Sequence, residues 1–174
     1  MPHYQIRPAA PKDASQIAEL HVAVWNAAYE NILPAGFLAQ MTVQKRLAFW
    51  REAVEFGEPQ LLLAFQEESK LVGFVGFDRS RDKGSKSTTG EIWALYVLPA
   101  YWRQGAGLAL WDSAREGLKE EGCSQVTAWT LLNNHRALAF FEQGAGFKRE
   151  ISTLRTTAFG SARLEEIRLK RSLD

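Results

Sequence analysis

The sequence predicts one α/β domain of α+β character, a mixed, mostly antiparallel central sheet of about six to seven strands flanked by helices. Three observations carry this expectation. Short apolar or β-branched runs are interspersed with stretches of helical periodicity, and no segment repeats. The runs at 60–66 and 71–77 are joined by four polar residues, which suits an antiparallel hairpin. A chain of 174 residues also forms one core more readily than two, so 1–174 is expected as a single domain.

The elements follow in order. Tyr4–Arg7 is a strand closed by Pro8. Within 11–29, Ile17, Leu20, Val24 and Ala28 recur at helical spacing, with a start near Asp13. Asn31–Pro34 reads as a break, and a second helix runs from about Thr42 to Phe56 with Val43, Leu47, Trp50 and Val54 on one face. Gly57-Glu58-Pro59 ends it. Gln60–Gln66 and Leu71–Phe77 are strands. Arg79–Gly90, the most polar stretch, reads as an exposed, solvated loop. Glu91–Leu98 is a strong strand stopped by Pro99. Gln104–Glu121 is a helix whose apolar face is Leu108, Trp111, Ala114 and Leu118, with Gly122 as its stop. Val126–Leu131 is a strand and Asn134–Gln143 a helix. Phe147–Thr153 and Leu164–Leu169 are the last strands, joined by the connection 156–163.

Composition excludes several classes. Lys and Arg number 21 against 20 Asp and Glu, so a net charge of +1 exerts no general pull on nucleic acid or anionic lipid. Cys123 is alone, and no Cys/His cluster has metal-ligand spacing, so neither an internal disulfide nor a metal is expected. The opening residues lack the apolar core of a signal peptide, and no apolar run is long enough to span a bilayer. A soluble cytoplasmic protein is the expectation. Six tryptophans in so short a chain are unusual.

The sharpest local feature is the passage from the strand ending at Pro99 into a helix opening across Gly105-Ala106-Gly107. Glycines there let backbone approach a ligand without Cβ interference. The free N–H groups of a helix's first turn, with the positive end of its dipole, form an anion site. Phosphate is the natural occupant, and Arg103 can add a charge-assisted contact. A Walker A loop is excluded, because Leu108-Ala109 follows Gly107 where Lys-Ser/Thr is required. A dinucleotide fold is disfavoured, because the next strand ends in no acidic residue for a ribose. An ordinary helix entry remains open.

Here the sequence resembles the GNAT superfamily of acyl-CoA-dependent N-acyltransferases. Trp102-Arg103-Gln104-Gly105-Ala106-Gly107 matches the family's Gln/Arg-x-x-Gly-x-Gly/Ala coenzyme A motif at both glycines. Asn134-His-Arg-Ala137-Leu-Ala-Phe140-Phe141-Glu142, closing on Gly146-Phe147, is similar to its Asn-x-x-Ala-x-x-Phe-Tyr-Glu…Gly-Phe element. The opening Ile6–His21 is similar to its first strand and helix. Three departures stand out. Trp102 occupies the usual Gln/Arg position, Phe141 stands where many members carry a Tyr acid, and one extra residue precedes Gly146.

The resemblance implies acetyl transfer from acetyl-CoA to a primary amine in a ternary complex, with no metal. It implies pyrophosphate held by Trp102, Arg103, Gln104, Gly105, Ala106 and Gly107, and the pantetheine arm along Leu95, Tyr96 and Val97. Asn134, Phe140 and Phe141 would complete the coenzyme side, with Asn134 also suited to cap a helix. The Val97 N–H is the implied oxyanion donor. Glu91 is the first choice as base, acting through water, with His21 and Glu30 as other candidates. His21, Trp25 and Tyr29 are expected on the acceptor side. A covalent route through Cys123 is disfavoured. The acceptor is expected to be a small-molecule or peptide amine, and a homodimer is compatible with the resemblance. The alternatives are a catalytically weak acyl-CoA-binding domain, favoured by Trp102 and Phe141, and a dinucleotide-binding oxidoreductase.

Overall fold

The structure is a computed structural model, and it describes residues 3–174. The strands are β1 (Gln5–Pro8), β2 (Gln60–Gln66), β3 (Lys70–Arg79), β4 (Thr89–Val97), β5 (Gln125–Leu131), β6 (Lys148–Phe159) and β7 (Ala162–Ser172). The helices are α1 (Ala14–Tyr29), α2 (Ala35–Leu38), α3 (Val43–Phe56), α4 (Ala106–Glu120) and α5 (His135–Ala139). The strands form one sheet in the order β1-β2-β3-β4-β5-β7-β6. Every neighbouring pair is antiparallel except β4 and β5. That pair is parallel because α4 intervenes as a crossover, the connection a parallel pair requires.

Helices cover both faces. Ile17, Leu20 and Val24 of α1 and Trp50 of α3 bury against Leu63, Phe74 and Ala94 on one face. On the other, Leu110, Trp111, Ala114 and Leu118 of α4 bury against Val72, Val75, Ile92 and Val126. Leu108, expected on the buried stripe of α4, is 40% exposed, and Leu110 takes the core position. Thr42 caps α3 by accepting the Lys45 N–H at 3.3 Å, and Gly57 ends the helix in the left-handed region at φ 69°.

Three segments differ from expectation. The short α2 follows the Asn31–Pro34 break, because Leu33 and Leu38 bury there together with Leu131. The connection 156–163 is strand apart from a tight turn at Gly160 (φ 62°), so β6 and β7 are longer than periodicity indicated. The polar loop after β3 is tied down at its start. Asp82 accepts from Trp129 Nε1 at 2.9 Å and from Arg168 at 2.9 Å, and the Ser80 N–H donates to the Thr89 carbonyl at 2.9 Å.

His21, expected on the acceptor side, belongs to the α1–α3 core. Its Nδ1 accepts from Trp50 Nε1 at 2.9 Å, which places its proton on Nε2. Its ring stacks on Tyr96 at 4.8 Å, and Nε2 is buried without a partner. Burial, reinforced by the nearby Arg46 charge, pulls its pKa from 6.5 down to about 3. Between those two values the unfolded chain binds a proton that the folded chain refuses, so this contribution to stability is complete above about 6.5 and is lost as pH falls toward 3. Urea unfolding should show lower stability at about pH 4.5 than at about pH 7.5, and His21→Asn, which keeps an acceptor for Trp50, should flatten much of that difference. An equal pH dependence in the variant would show that His21 is not its source.

Candidate active site

β4 and β5 pair only from Thr89 to Glu91 against Gln125 to Thr127, and then part. A β-bulge accompanies the parting. Opposite β4, the register of β3 passes from Gly76↔Ala94 to Phe77↔Ile92, which leaves Trp93 as the extra residue and bends the strand. The gap is the middle of a cleft of about 1120 Å³.

The edge of β4 facing the gap carries free backbone groups. The Leu98 N–H donates to the Val72 carbonyl at 2.8 Å. By the alternation of an antiparallel ladder, Tyr96 then pairs with Phe74, while the N–H and C=O of Leu95 and Val97 turn away from β3 toward the gap. Tyr96 thus commits its backbone to β3 and its ring to His21 and Phe74, and burial pushes its hydroxyl pKa upward. The Val97 carbonyl accepts from Trp102 Nε1 at 2.7 Å, and the Val97 N–H faces the cleft.

One end of the cleft is a cationic backbone turn. Arg103 and Gly105 both take positive φ, 61° and 90°, and α4 then starts with no side-chain cap. Its first N–H groups are therefore available to an anion. Gly105 meets the positive φ that glycine adopts freely. Gly107 is required for a different reason, because a Cβ there would stand 2.9 Å from the Phe140 ring. Arg103, Gly105 and Gly107 line the cleft, whereas Gln104 and Ala106 do not. Gln104 instead holds the turn together: its Nε2 donates to the Ala100 carbonyl at 2.8 Å, and its own carbonyl accepts from the Tyr4 hydroxyl at 3.0 Å. Ala106 packs in the core.

Trp102 lies across the strand edge with the Arg136 guanidinium carbon 3.3 Å above its ring centroid. Burial, together with the neighbouring Arg103 charge, pulls the Arg136 pKa down. The structure thus sets two guanidinium groups beside the turn, where the sequence indicated one. The only signal for Arg136 was its place inside the Asn134–Ala137 element.

Asn134 caps α5, its Oδ1 accepting the Ala137 N–H at 3.2 Å. Its Nδ2 donates to the Tyr29 hydroxyl at 3.2 Å, tying α5 to α1. Phe140 and Phe141 line the wall beside α4, and Phe141 packs on Phe147 at 5.1 Å. The extra residue before Gly146 is absorbed by a π-turn over Phe140–Gly144, in which the Ala145 N–H reaches the Phe140 carbonyl at 2.9 Å. Trp25 and Tyr29 line the opposite wall, their rings 4.8 Å apart.

Glu91 is not brought into this cleft. Its side chain is 2% exposed, and both oxygens are taken by Arg81: Oε1 by the backbone N–H at 2.8 Å and Oε2 by the guanidinium at 2.6 Å. The position expected to hold a base therefore holds an ion pair, whose cation also stacks on Trp93 at 4.3 Å. The acidic residue that does line the cleft is Glu166 of β7, in a segment the sequence marked only as a strand. Cys123 is buried in the α4 core, outside the cleft lining, and burial pushes its thiol pKa up. Among the described residues no group of His, Cys, Asp and Glu is arranged to hold a metal, and no helix is long and apolar enough to cross a membrane.

Comparison with known proteins agrees with this geometry. The Acetyltransferase (GNAT) family model matches residues 17–147. The chain is 30% identical over 129 residues to the uncharacterized N-acetyltransferase YuaI of Bacillus subtilis (strain 168), covering 74% of this chain and 72% of that one. Among solved structures, YncA from Salmonella typhimurium with its cofactor acetyl-CoA superposes with a TM-score of 0.74 at 20% identity, covering 99% of this chain and 95% of that one. The PaiA N-acetyltransferase of Thermoplasma acidophilum in complex with coenzyme A gives a TM-score of 0.73 at 15% identity, covering 98% and 99%. By the family match over most of its length, and by the parted strands and glycine turn that its fold displays, this chain belongs to the GNAT family of acetyltransferases.

Proposed function

We propose that the protein transfers the acetyl group of acetyl-CoA to a primary amine by direct attack in a ternary complex. The observation that carries this reading is the free backbone edge at Leu95 and Val97, lying in the same cleft as the uncapped start of α4. A pantetheine arm presents amides that pair with such an edge, and a pyrophosphate matches uncapped helix N–H groups flanked by Arg103 and Arg136. Acetyl-CoA and coenzyme A in the YncA and PaiA structures support the same donor.

In this reading the Val97 N–H donates to the thioester oxygen as the amine adds to the carbonyl carbon. A fixed backbone donor of this kind contributes roughly 3 kcal/mol to the transition state. The C–S bond then breaks and coenzyme A departs as the thiolate; the acceptor's ammonium has given one proton to water before the attack, and the proton that the nitrogen sheds on becoming an amide goes to the departing thiolate. That departure needs no hydroxyl at Phe141, which suits a side chain with no proton to give. Direct attack is favoured over an acyl-cysteine because Cys123 is buried in the core with a raised pKa. Glu91 serves as the buried anchor of Arg81 and the loop after β3, rather than as the base.

Coenzyme A release against a panel of amines tests the reading, and tight acetyl-CoA binding with no turnover on any amine would leave only a binding domain. Arg136→Ala should weaken acetyl-CoA about tenfold by calorimetry at low salt, and an unchanged affinity would remove Arg136 from the donor site. Glu91→Gln should lower stability by about 1–3 kcal/mol while leaving the shape of the pH–rate profile unaltered. A profile displaced toward higher pH would reinstate Glu91 as the base.

A further inference from the structure

We infer that Glu166 is the anchor for the acceptor's ammonium group, and that the acceptor is a primary amine on a flat apolar body with no acidic group of its own. This rests on the acetyltransfer reading above. Glu166 sits where β5 has already parted from β4, opposite Leu131 on one side and Arg155 on the other. Its Oε1 takes two donors, Arg155 Nε at 2.7 Å and Thr157 Oγ1 at 2.7 Å. Among the described residues nothing donates to Oε2. The carboxylate is therefore held in one orientation through one oxygen, with the other left for a ligand. The Tyr29 hydroxyl registers that charge: its pKa is raised chiefly by burial, is opposed by the Asn134 hydrogen bond, and is raised further by Glu166.

The cleft that Glu166 lines is rich in aromatic side chains. Trp25, Tyr29, Trp93, Trp129 and Phe159 line the same cleft, and Glu166 is the acidic residue among its lining side chains. Aromatic faces attract a cation and offer a large apolar surface, while a single fixed carboxylate supplies the direction. A second ammonium, as in a polyamine, would meet no second carboxylate in this wall. An acidic substrate would place its own charge beside Glu166, while of the cations that line the cleft Arg136 covers Trp102 and Arg103 belongs to the turn into α4. Arg155 is already engaged, because its guanidinium carbon stands 3.8 Å from the Trp129 ring centroid and its Nε donates to Oε1.

The test measures steady-state acetylation of phenethylamine, spermidine and glutamate by the wild type, by Glu166→Gln and by Glu166→Asp, with acetyl-CoA affinity measured separately by calorimetry. The wild type should show its highest kcat/KM on phenethylamine. Glu166→Gln should raise that KM about tenfold or more, with a smaller effect on kcat and an unchanged acetyl-CoA affinity. Glu166→Asp should recover part of the loss. A wild type that prefers glutamate or spermidine, or a Glu166→Gln variant with unchanged KM, overturns the assignment while leaving acetyl transfer intact. Failure of the wild type to bind acetyl-CoA would instead overturn the function on which the assignment rests.

Discussion

The site depends on β4 and β5 ceasing to pair after Glu91 and Thr127. Backbone groups in the middle of a sheet are normally consumed by a neighbour on each side. Here the bulge at Trp93 bends β4, and the edge beyond it keeps the N–H and C=O of Leu95 and the N–H of Val97 turned away from β3, the Val97 carbonyl being taken by Trp102. The same parting lets the two faces of the sheet communicate. α4 and α5 bring the glycine turn and the Phe140–Phe141 wall from one face, and α1 brings Trp25 and Tyr29 from the other. The hydrogen bond from Asn134 to Tyr29 joins the two sides.

Trp102 gains a physical account from its neighbours. Its indole N–H is fixed on the Val97 carbonyl and its face is covered by Arg136. Where the family motif offers a polar side chain, this chain offers an aromatic ledge that carries a second guanidinium to the edge of the glycine turn. Phe141 similarly exchanges a hydroxyl for packing against Phe147 in the core. The remaining tryptophans divide in the same way: Trp50 and Trp111 are core, while Trp25, Trp93 and Trp129 line the cleft.

Much of this was legible in the chain itself. Strand and helix order followed from local periodicity, and the turn into α4 was marked by two glycines, of which Gly105 answers a local positive φ and Gly107 the distant Phe140 ring. The readings that failed concern long-range partners. Glu91 stood on the right strand, but Arg81, ten residues earlier, occupies both its oxygens. His21 stood on the right helix, but Trp50 and Tyr96 enclose it. The loop after β3 was polar in composition, yet Asp82 is bound to Trp129 and Arg168 from strands much later in the chain.

By itself, then, the sequence determined the class of fold, the order of its elements and the position of the glycine turn that opens α4, because periodicity, glycine and proline act over a few residues. Only the tertiary structure decided which side chains share the cleft. Arg136 and Glu166 lie on elements with no local mark of function, and they enter the site through the parting of β4 from β5 and the long β6–β7 hairpin. Whether a carboxylate is spent on an arginine or left open to a ligand is a matter of neighbours tens of residues away, which no local pattern encodes.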